Sequence, residues 1–297
     1  MRVVKSEEAI ESVTTREGPG PRVTVVTVVQ NAVSVLEATI RSVLGQSYAQ
    51  LEYVVVDGAS TDGTVEILRG YSDRIDAWVS EPDRGIADAL NKGSRLATGD
   101  LLLFMSAGDS FVDDRSLADA VALIPAALDF RNTIFYGDAL YVHASGTALL
   151  RTSHEDLREH SSLCHPSVLV GADVQAANPY DERLAVFMDY DVWLRCLGRY
   201  PFVKLPLTIS TFTSGGVSGS DEAGARIQIE RALVQLLNDR TTQDTRAILR
   251  VLTNLLTFRA KRDVRRLIGE TAFLKLKRFA GRDTPSVWAP PPDGDRI

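Results

Sequence analysis

Between residues 23 and 105 the chain repeats one pattern: a short apolar run, a polar turn, then a stripe of helical period. Val23 to Val29, Tyr53 to Val56 and Leu101 to Met105 are runs of strand length, with a shorter one at Ala77 to Val79. Leu36, Ile40, Val43 and Leu44 share one helical face, and Ile86, Ala89, Leu90, Gly93 and Ala97 share another. A further helix is expected near Thr64 to Arg69, and Ser34 to Glu37 reads as a capping box opening the first helix. Strands apolar along their whole length and alternating with helices require a mostly parallel sheet covered on both faces. The expected class is therefore α/β, a Rossmann-like, doubly wound sheet flanked by helices. Ligands of such sheets collect beyond the carboxyl ends of the strands. Asp57, the stretch from Ser80 to Arg84, and Asp109 all fall there.

After Phe111 the pattern is mixed. Thr133 to Tyr136 reads as a strand, Asp189 to Leu197 as the start of a helix and Phe202 to Phe212 as extended chain. From about Asp221 the text is helical, through Ile227, Val234 and Leu237 to Ile248, Leu252 and Leu256. The expected organisation is a leader over 1–21, a body over 22–218 and a helical, basic C-terminal extension over 219–297 with a frayed end.

Composition narrows the functional classes. A 44% hydrophobic and 24% charged chain of 297 residues builds a sizeable core, and a net charge of −6 argues against a general nucleic-acid binder. No apolar run approaches the ~20 residues of a membrane span. The first residues hold early acids and no apolar core of a secretion signal. Cys164 and Cys196 lack ligand-type spacing, which suits a reducing cytoplasm and speaks against a disulfide framework or zinc site. Residues 259–282 stand apart, with nine basic residues against the two acids Asp263 and Glu270. Leu267, Ile268, Phe273, Leu274, Leu276 and Phe279 interleave with those cations. Such a segment is either a solvated helix face or a surface for an anionic bilayer.

Four stretches carry the chemistry. In "EYVVVDGASTDGTVEIL" a strand delivers Asp57 into a turn of small residues, where a carboxylate either shapes the turn or accepts hydrogen bonds from a ribose or a base. The first strand ends in Gln30-Asn31-Ala32, without the glycine-rich fingerprint of a dinucleotide loop. In "SEPDRGIADALNKGSRLATGD", Asp83 and Arg84 precede a helix whose N-terminal amides suit an anion; residue type alone also allows a capping Asp83 and a solvated Arg84. "LLLFMSAGDS" brings Asp109 to the same edge, where a carboxylate suits Mg2+ or Mn2+, ions that keep water and phosphate oxygens as their other ligands. In "FMDYDVWLRC", Asp189 and Asp191 lie two apart and point to different helix faces, so one can serve a site while the other caps or meets solvent.

The stretch from Val23 to about Asp114 resembles glycosyltransferase family 2, inverting sugar transferases of the GT-A fold. "TVVQNAVSVLEATIRSVLGQSY", "EYVVVDGASTDGT", "SEPDRGIADALNKGSRLATGD" and "FMSAGDSF" carry the likeness, continued more loosely through "IFYGD", "CHPSVLV" and "MDYDVWLR" to "FTSGGVS". The resemblance implies a nucleotide-sugar half over 22–112 and an acceptor half over 113–218. It implies donor-nucleotide contacts from Val28, Asn31, Asp57, Ser60, Asp83, Arg84 and Asn91, and a metal held at Asp109. It makes Asp189 the catalytic base ahead of the helix containing Trp193, puts His165 in the pocket, and gives Gly215 and Gly216 to a loop over it. His143, His154 and His160 are expected on the surface. Two departures stand out: Ser106-Ala107-Gly108-Asp109 keeps a single acid where many relatives have two, and Met188 replaces an acid that often precedes the base.

The implied reaction transfers a sugar, with inversion, from a nucleotide-sugar donor (a UDP-sugar favoured) to a hydroxyl of a saccharide or lipid-linked saccharide. The implied setting is cell-surface polysaccharide or glycolipid assembly in the cytoplasm, with peripheral contact to the inner membrane face through 259–282. Two other classes remain open at this point: a non-catalytic nucleotide-sugar-binding partner subunit, and a sugar nucleotidyltransferase, whose first strand should lead into a glycine-rich phosphate loop absent here.

Overall fold

The structure, a computed structural model, describes residues 20–143, 146–213 and 224–238. Contacts divide the chain into one compact unit of Met1–Ser214 with Asp295–Ile297 and a second of Gly215–Gly294. The expected nucleotide-sugar half and the expected acceptor half up to residue 214 fall in the first unit, and one sheet runs through both.

The first half alternates as its sequence pattern demands. Strand β1 (Val23–Val29) leads to α1 (Leu36–Leu44), β2 (Leu51–Asp57) to α2 (Thr64–Gly70), β3 (Ala77–Ser80) to α3 (Ile86–Leu96), and β4 (Leu101–Ser106) follows. After β4 come β5 (Ser110–Phe111), α4 (Ser116–Ala122) and the hairpin of β6 (Ile134–His143) with β7 (Gly146–Leu150). Then come β8 (Val168–Gly171), α5 (Ala172–Ala177), α6 (Met188–Cys196) and β9 (Phe202–Thr213). The strand order is β3-β2-β1-β4-β8-β6-β9-β5, with β7 paired to β6. β1 to β4 are parallel throughout; β8 runs against β4 and β6, and β9 runs with β6. The second unit is described as one helix, α7 (Gly224–Asn238).

The two faces of the sheet are separated by the strand period of two. Val25, Val29, Tyr53, Val55, Leu101, Leu103 and Met105 join Leu36, Ile40 and Leu68 in one core. On the opposite face α3 lies so close to β1 that a Cβ on Gly93 would come within 2.2 Å of a Val26 methyl. Register matters most for the site: Val29 pairs with Asp57, Asp57 with Ser80, and Val28 with Ser106, so all four parallel strands end level.

The expected capping box does not form. α1 begins at Leu36 without a side-chain cap; Glu37 instead pairs with Arg41 at 2.7 Å and accepts from the Tyr71 hydroxyl. The turn over 33–35 delays helix entry, which puts Glu37 in the first turn of the helix and leaves its carboxylate for cross-helix partners. His154, expected on the surface, is only partly exposed. Its ring stacks on Phe202 with centroids 5.4 Å apart, its Nδ1 meets the Tyr136 hydroxyl at 2.7 Å, and burial lowers its pKa. Among the described residues, no helix is long and apolar enough to cross a membrane. The leader up to residue 19, Gly215, Gly216 and the basic stretch 259–282 lie outside the described residues.

Candidate active site at the carboxyl edge of the sheet

Where β2 ends, Asp57 is fully buried and acts as the hub of its loop. Its carboxylate accepts the Ser60 amide at 3.0 Å, the Ser60 hydroxyl, and the Ser80 hydroxyl from the end of β3 at 2.6 Å. Asn31, in the left-handed region at φ 49°, receives the Thr61 amide on its side chain at 2.9 Å, and its own amide donates to the Ser60 hydroxyl at 2.7 Å. Gln30 donates to the Gly58 carbonyl at 2.8 Å. The loops after β1 and β2 are thus sewn together. Asp83 lies over Gly58, where a Cβ would come within 2.3 Å of its carboxylate, and accepts the Gly85 amide at 2.9 Å. Val28 is a buried strand-end residue whose carbonyl receives the Ala107 amide at 3.2 Å.

Beyond β4 a tight turn through Gly108, at φ 104°, presents Asp109. Thr39 of α1 pins this turn from below, donating to the Asp109 carbonyl at 2.8 Å and accepting the Gly108 amide at 2.9 Å. The Asp109 carboxylate accepts the amides of Ser106, at 3.1 Å, and Thr213. It is 6% exposed, and burial outweighs those two bonds, raising its pKa to about 7.

The segment between α5 and α6 is strapped to α3. Asn91 grips Tyr180 at both backbone atoms, donating to its carbonyl at 3.0 Å and accepting its amide at 2.9 Å. Arg84 reaches Glu182 at 2.6 Å and Asp88 at 3.3 Å. Arg195 of α6 closes the other end, donating to the Pro179 carbonyl at 2.7 Å while paired with Asp191 at 2.8 Å. Asp191 is therefore engaged by Arg195 of its own helix.

Asp189 opens α6, and burial raises its pKa to about 6. His165 lies stacked on Phe104, centroids 5.3 Å apart, with Trp193 edge-on at 6.0 Å and Tyr180 bonded to its Nε2 at 3.0 Å. The residue keeps partial exposure at its rim, yet its ring is enclosed enough that burial pushes its pKa down to about 4. Trp193 is fully buried, and its indole N–H has no partner among the described residues.

Cys164, a buried free thiol, feels two of the acids. Burial raises its pKa first, and the charges of Asp109 and Asp189 raise it further, so both carboxylates lie within Coulombic reach of one sulfur. Tyr180 feels Asp189 in the same way, after burial. Asp57 stays apart: it lies on the same edge, two strands from Ser106, on the order of 10 Å by strand spacing. Tyr180, Glu182, Cys164 and Thr213 take part here but escape sequence reading as site residues. Ser80 is legible as an edge residue from its place at the end of an apolar run, though not as a partner of Asp57.

Among the described residues no three His, Cys, Asp or Glu side chains cluster so as to hold a metal. Asp109 offers one carboxylate, already seated on two amides. That donor set fits a hard divalent ion that brings water and substrate phosphate oxygens as its other ligands, and does not fit an all-protein cage.

Comparison with known proteins bears on the family and the fold. Residues 24–166 match glycosyl transferase family 2. An uncharacterized glycosyltransferase of Mycobacterium tuberculosis H37Rv is 40% identical over 102 residues, which is 34% of this chain and 39% of that protein. The match thus spans well under half of that relative's length. A PGL/p-HBAD biosynthesis glycosyltransferase of Mycobacterium tuberculosis H37Ra is 27% identical over 197 residues, 64% of this chain and 76% of that protein. Staphylococcus aureus TarS solved with UDP-GlcNAc superposes with a TM-score of 0.59 at 16% identity, over 80% of this chain and 73% of that one. A Pyrobaculum calidifontis mannosyltransferase solved with GDP-Man and Mn2+ gives 0.56 at 20% identity, over 93% and 85%. At these identities the structural likeness establishes the fold, which is the GT-A arrangement.

Proposed function

We propose that this chain, a member of glycosyltransferase family 2, transfers a sugar with inversion from a nucleotide-sugar donor to a hydroxyl acceptor. One observation carries the reading. Two acids whose pKa values burial raises, Asp109 after β4 and Asp189 at the start of α6, both act on the same Cys164 thiol through their charge. A transferase of this kind needs one group near the leaving diphosphate and a base on the acceptor side.

In this mechanism the donor lies along the carboxyl edge, its nucleotide toward the sewn loops of Asn31, Asp57, Ser60 and Asp83. Asp57 contributes by holding Ser60 and Ser80, since its buried carboxylate already accepts three bonds from them. Arg84 supplies a cation for the diphosphate. Asp109 would hold Mg2+ or Mn2+, which supplies charge neutralisation to the departing diphosphate when bound. Asp189 takes the proton of the acceptor hydroxyl as the new bond forms. A pKa of about 6 leaves it ionised yet still basic near neutrality. No covalent sugar–enzyme intermediate is needed for inversion.

UDP-sugars are favoured as donors and a saccharide or lipid-linked saccharide as acceptor, in cell-surface polysaccharide or glycolipid assembly. The relative named for PGL/p-HBAD biosynthesis and the UDP-GlcNAc complex of TarS support that reading. The basic stretch 259–282 is the proposed contact with an anionic inner-membrane surface, for a protein working at the cytoplasmic side. Incubating the purified protein with a panel of nucleotide sugars and Mn2+ tests the activity. Slow release of the free nucleoside diphosphate supports it; binding without release indicates a partner subunit, and pyrophosphate-dependent turnover a nucleotidyltransferase.

A further inference from the structure

We infer that Tyr180 is a positioning residue: its hydroxyl donates to Nε2 of His165 and so fixes a neutral imidazole with the proton on Nδ1, offered to an oxygen of the bound substrate. Tyr180 was given no role by its sequence context. The structure makes it the link between Asn91 of α3 and the ring of His165. Its backbone is held at both polar atoms by Asn91, its ring meets Phe104 edge-on at 5.4 Å, and its hydroxyl lies 3.0 Å from Nε2.

The direction of that last bond follows from satisfaction of buried groups. Tyr180 is 3% exposed, and His165 is the one partner its hydroxyl has among the described residues. A buried phenol hydrogen without an acceptor is costly, and an imidazole nitrogen lone pair is a good acceptor. Were Nε2 to carry the proton, the phenol oxygen would accept it and the phenol hydrogen would be stranded. The proton therefore belongs on Nδ1. Among the described residues Nδ1 meets no partner, and the residue keeps part of its surface open, so this donor remains available. Stacking on Phe104 and the edge of Trp193 hold the ring in plane. Enclosure that lowers the His165 pKa to about 4 agrees with a ring that stays neutral. The substrate oxygen it serves rests on the transferase reading; the tautomer does not.

The test is a two-bond proton–nitrogen NMR spectrum of the full chain labelled with 15N-histidine, the rings assigned by His143→Gln, His154→Gln, His160→Gln and His165→Gln. The expected result is the Nδ1–H tautomer at His165, shifting toward Nε2–H in Tyr180→Phe. The phenylalanine keeps the packing on Phe104, so a purely packing role would leave the tautomer unchanged. Nε2–H in the wild type, or an unchanged His165 signal in Tyr180→Phe, overturns the assignment. If Tyr180→Phe does not fold, the wild-type spectrum decides alone. In turnover, Tyr180→Phe should lower kcat about 10-fold, the worth of one hydrogen bond, with donor KM little changed. A wild type inactive on every nucleotide sugar but showing Nδ1–H would sink the transferase reading and leave Tyr180 in its role.

Discussion

The Arg84 guanidinium lies 2.6 Å from a Glu182 carboxylate oxygen, joining the turn before α3 to the strap before α6. A cation proposed for the leaving diphosphate is thus already engaged by an acid of the same chain. Any donor phosphate that takes Arg84 must compete with Glu182 and Asp88.

Glu182→Gln should therefore tighten donor binding. The pair is well exposed at Arg84, so the gain is modest, roughly 2- to 5-fold in Kd, and shrinks in high salt. Calorimetric titration with the donor reads it directly. Weaker binding in the variant would mean that Glu182 orients Arg84 rather than competing for it.

Asp189→Asn should retain donor affinity and lose at least ~10²-fold in kcat. The wild-type rate should rise with pH through about 6, because protonated Asp189 cannot accept the acceptor proton. Residual activity in Asp189→Asn should lack that acidic limb. A variant whose kcat matches the wild type ends the case for Asp189 as base.

Asp109 sets a stability dependence of its own. An ordinary aspartate releases its proton near 3.8, whereas this one holds it to about 7 in the folded chain. Between those values the folded state binds the extra proton, so the contribution is full below the lower value and disappears as pH rises through the upper one. Metal-free Asp109→Asn should accordingly gain on the order of 2 kcal/mol over the wild type at pH 8 and almost nothing at pH 4. Thermal denaturation at both pH values checks the sign.

Divalent metal should act through the same residue. Mn2+ with a nucleoside diphosphate is expected to raise the wild-type Tm and leave Asp109→Asn unmoved. Chelation should abolish turnover in the wild type. Activity indifferent to chelators would remove the ion from the mechanism.

Between the paired strands β6 and β9, Lys204 holds a different knot. Its ammonium contacts the Asp138 carboxylate, donates to the Thr152 carbonyl at 2.9 Å and hydroxyl at 2.8 Å, and lies over the Tyr136 ring. Lys204→Met should cost about 1–3 kcal/mol, since Asp138 is mostly buried and loses its counter-charge. Urea denaturation measures the loss. Asp138→Asn in the Lys204→Met background should recover part of it, because the unpaired charge is then gone.

What could be read from the chain alone was whatever repeats locally. The runs at Val23, Tyr53 and Leu101 and the helical stripes between them specify strands, helices and a parallel half-sheet, because periodicity of two or 3.6 is a property of neighbours in sequence. The same logic located Asp57, Asp83 and Asp109, each at the end of an apolar run. β8 was not legible: Val168 to Val170 is too short a run to tell from a buried turn. Nor was the reversal at β8, because strand direction depends on pairing partners. Only the tertiary structure decided that Asn91 clamps Tyr180, that Asp57 spends its oxygens on Ser60 and Ser80, and that Asp191 pairs with Arg195 while burial raises the pKa of Asp189. Burial and hydrogen-bond satisfaction set the roles of these groups, and both depend on atoms brought together from distant stretches of chain.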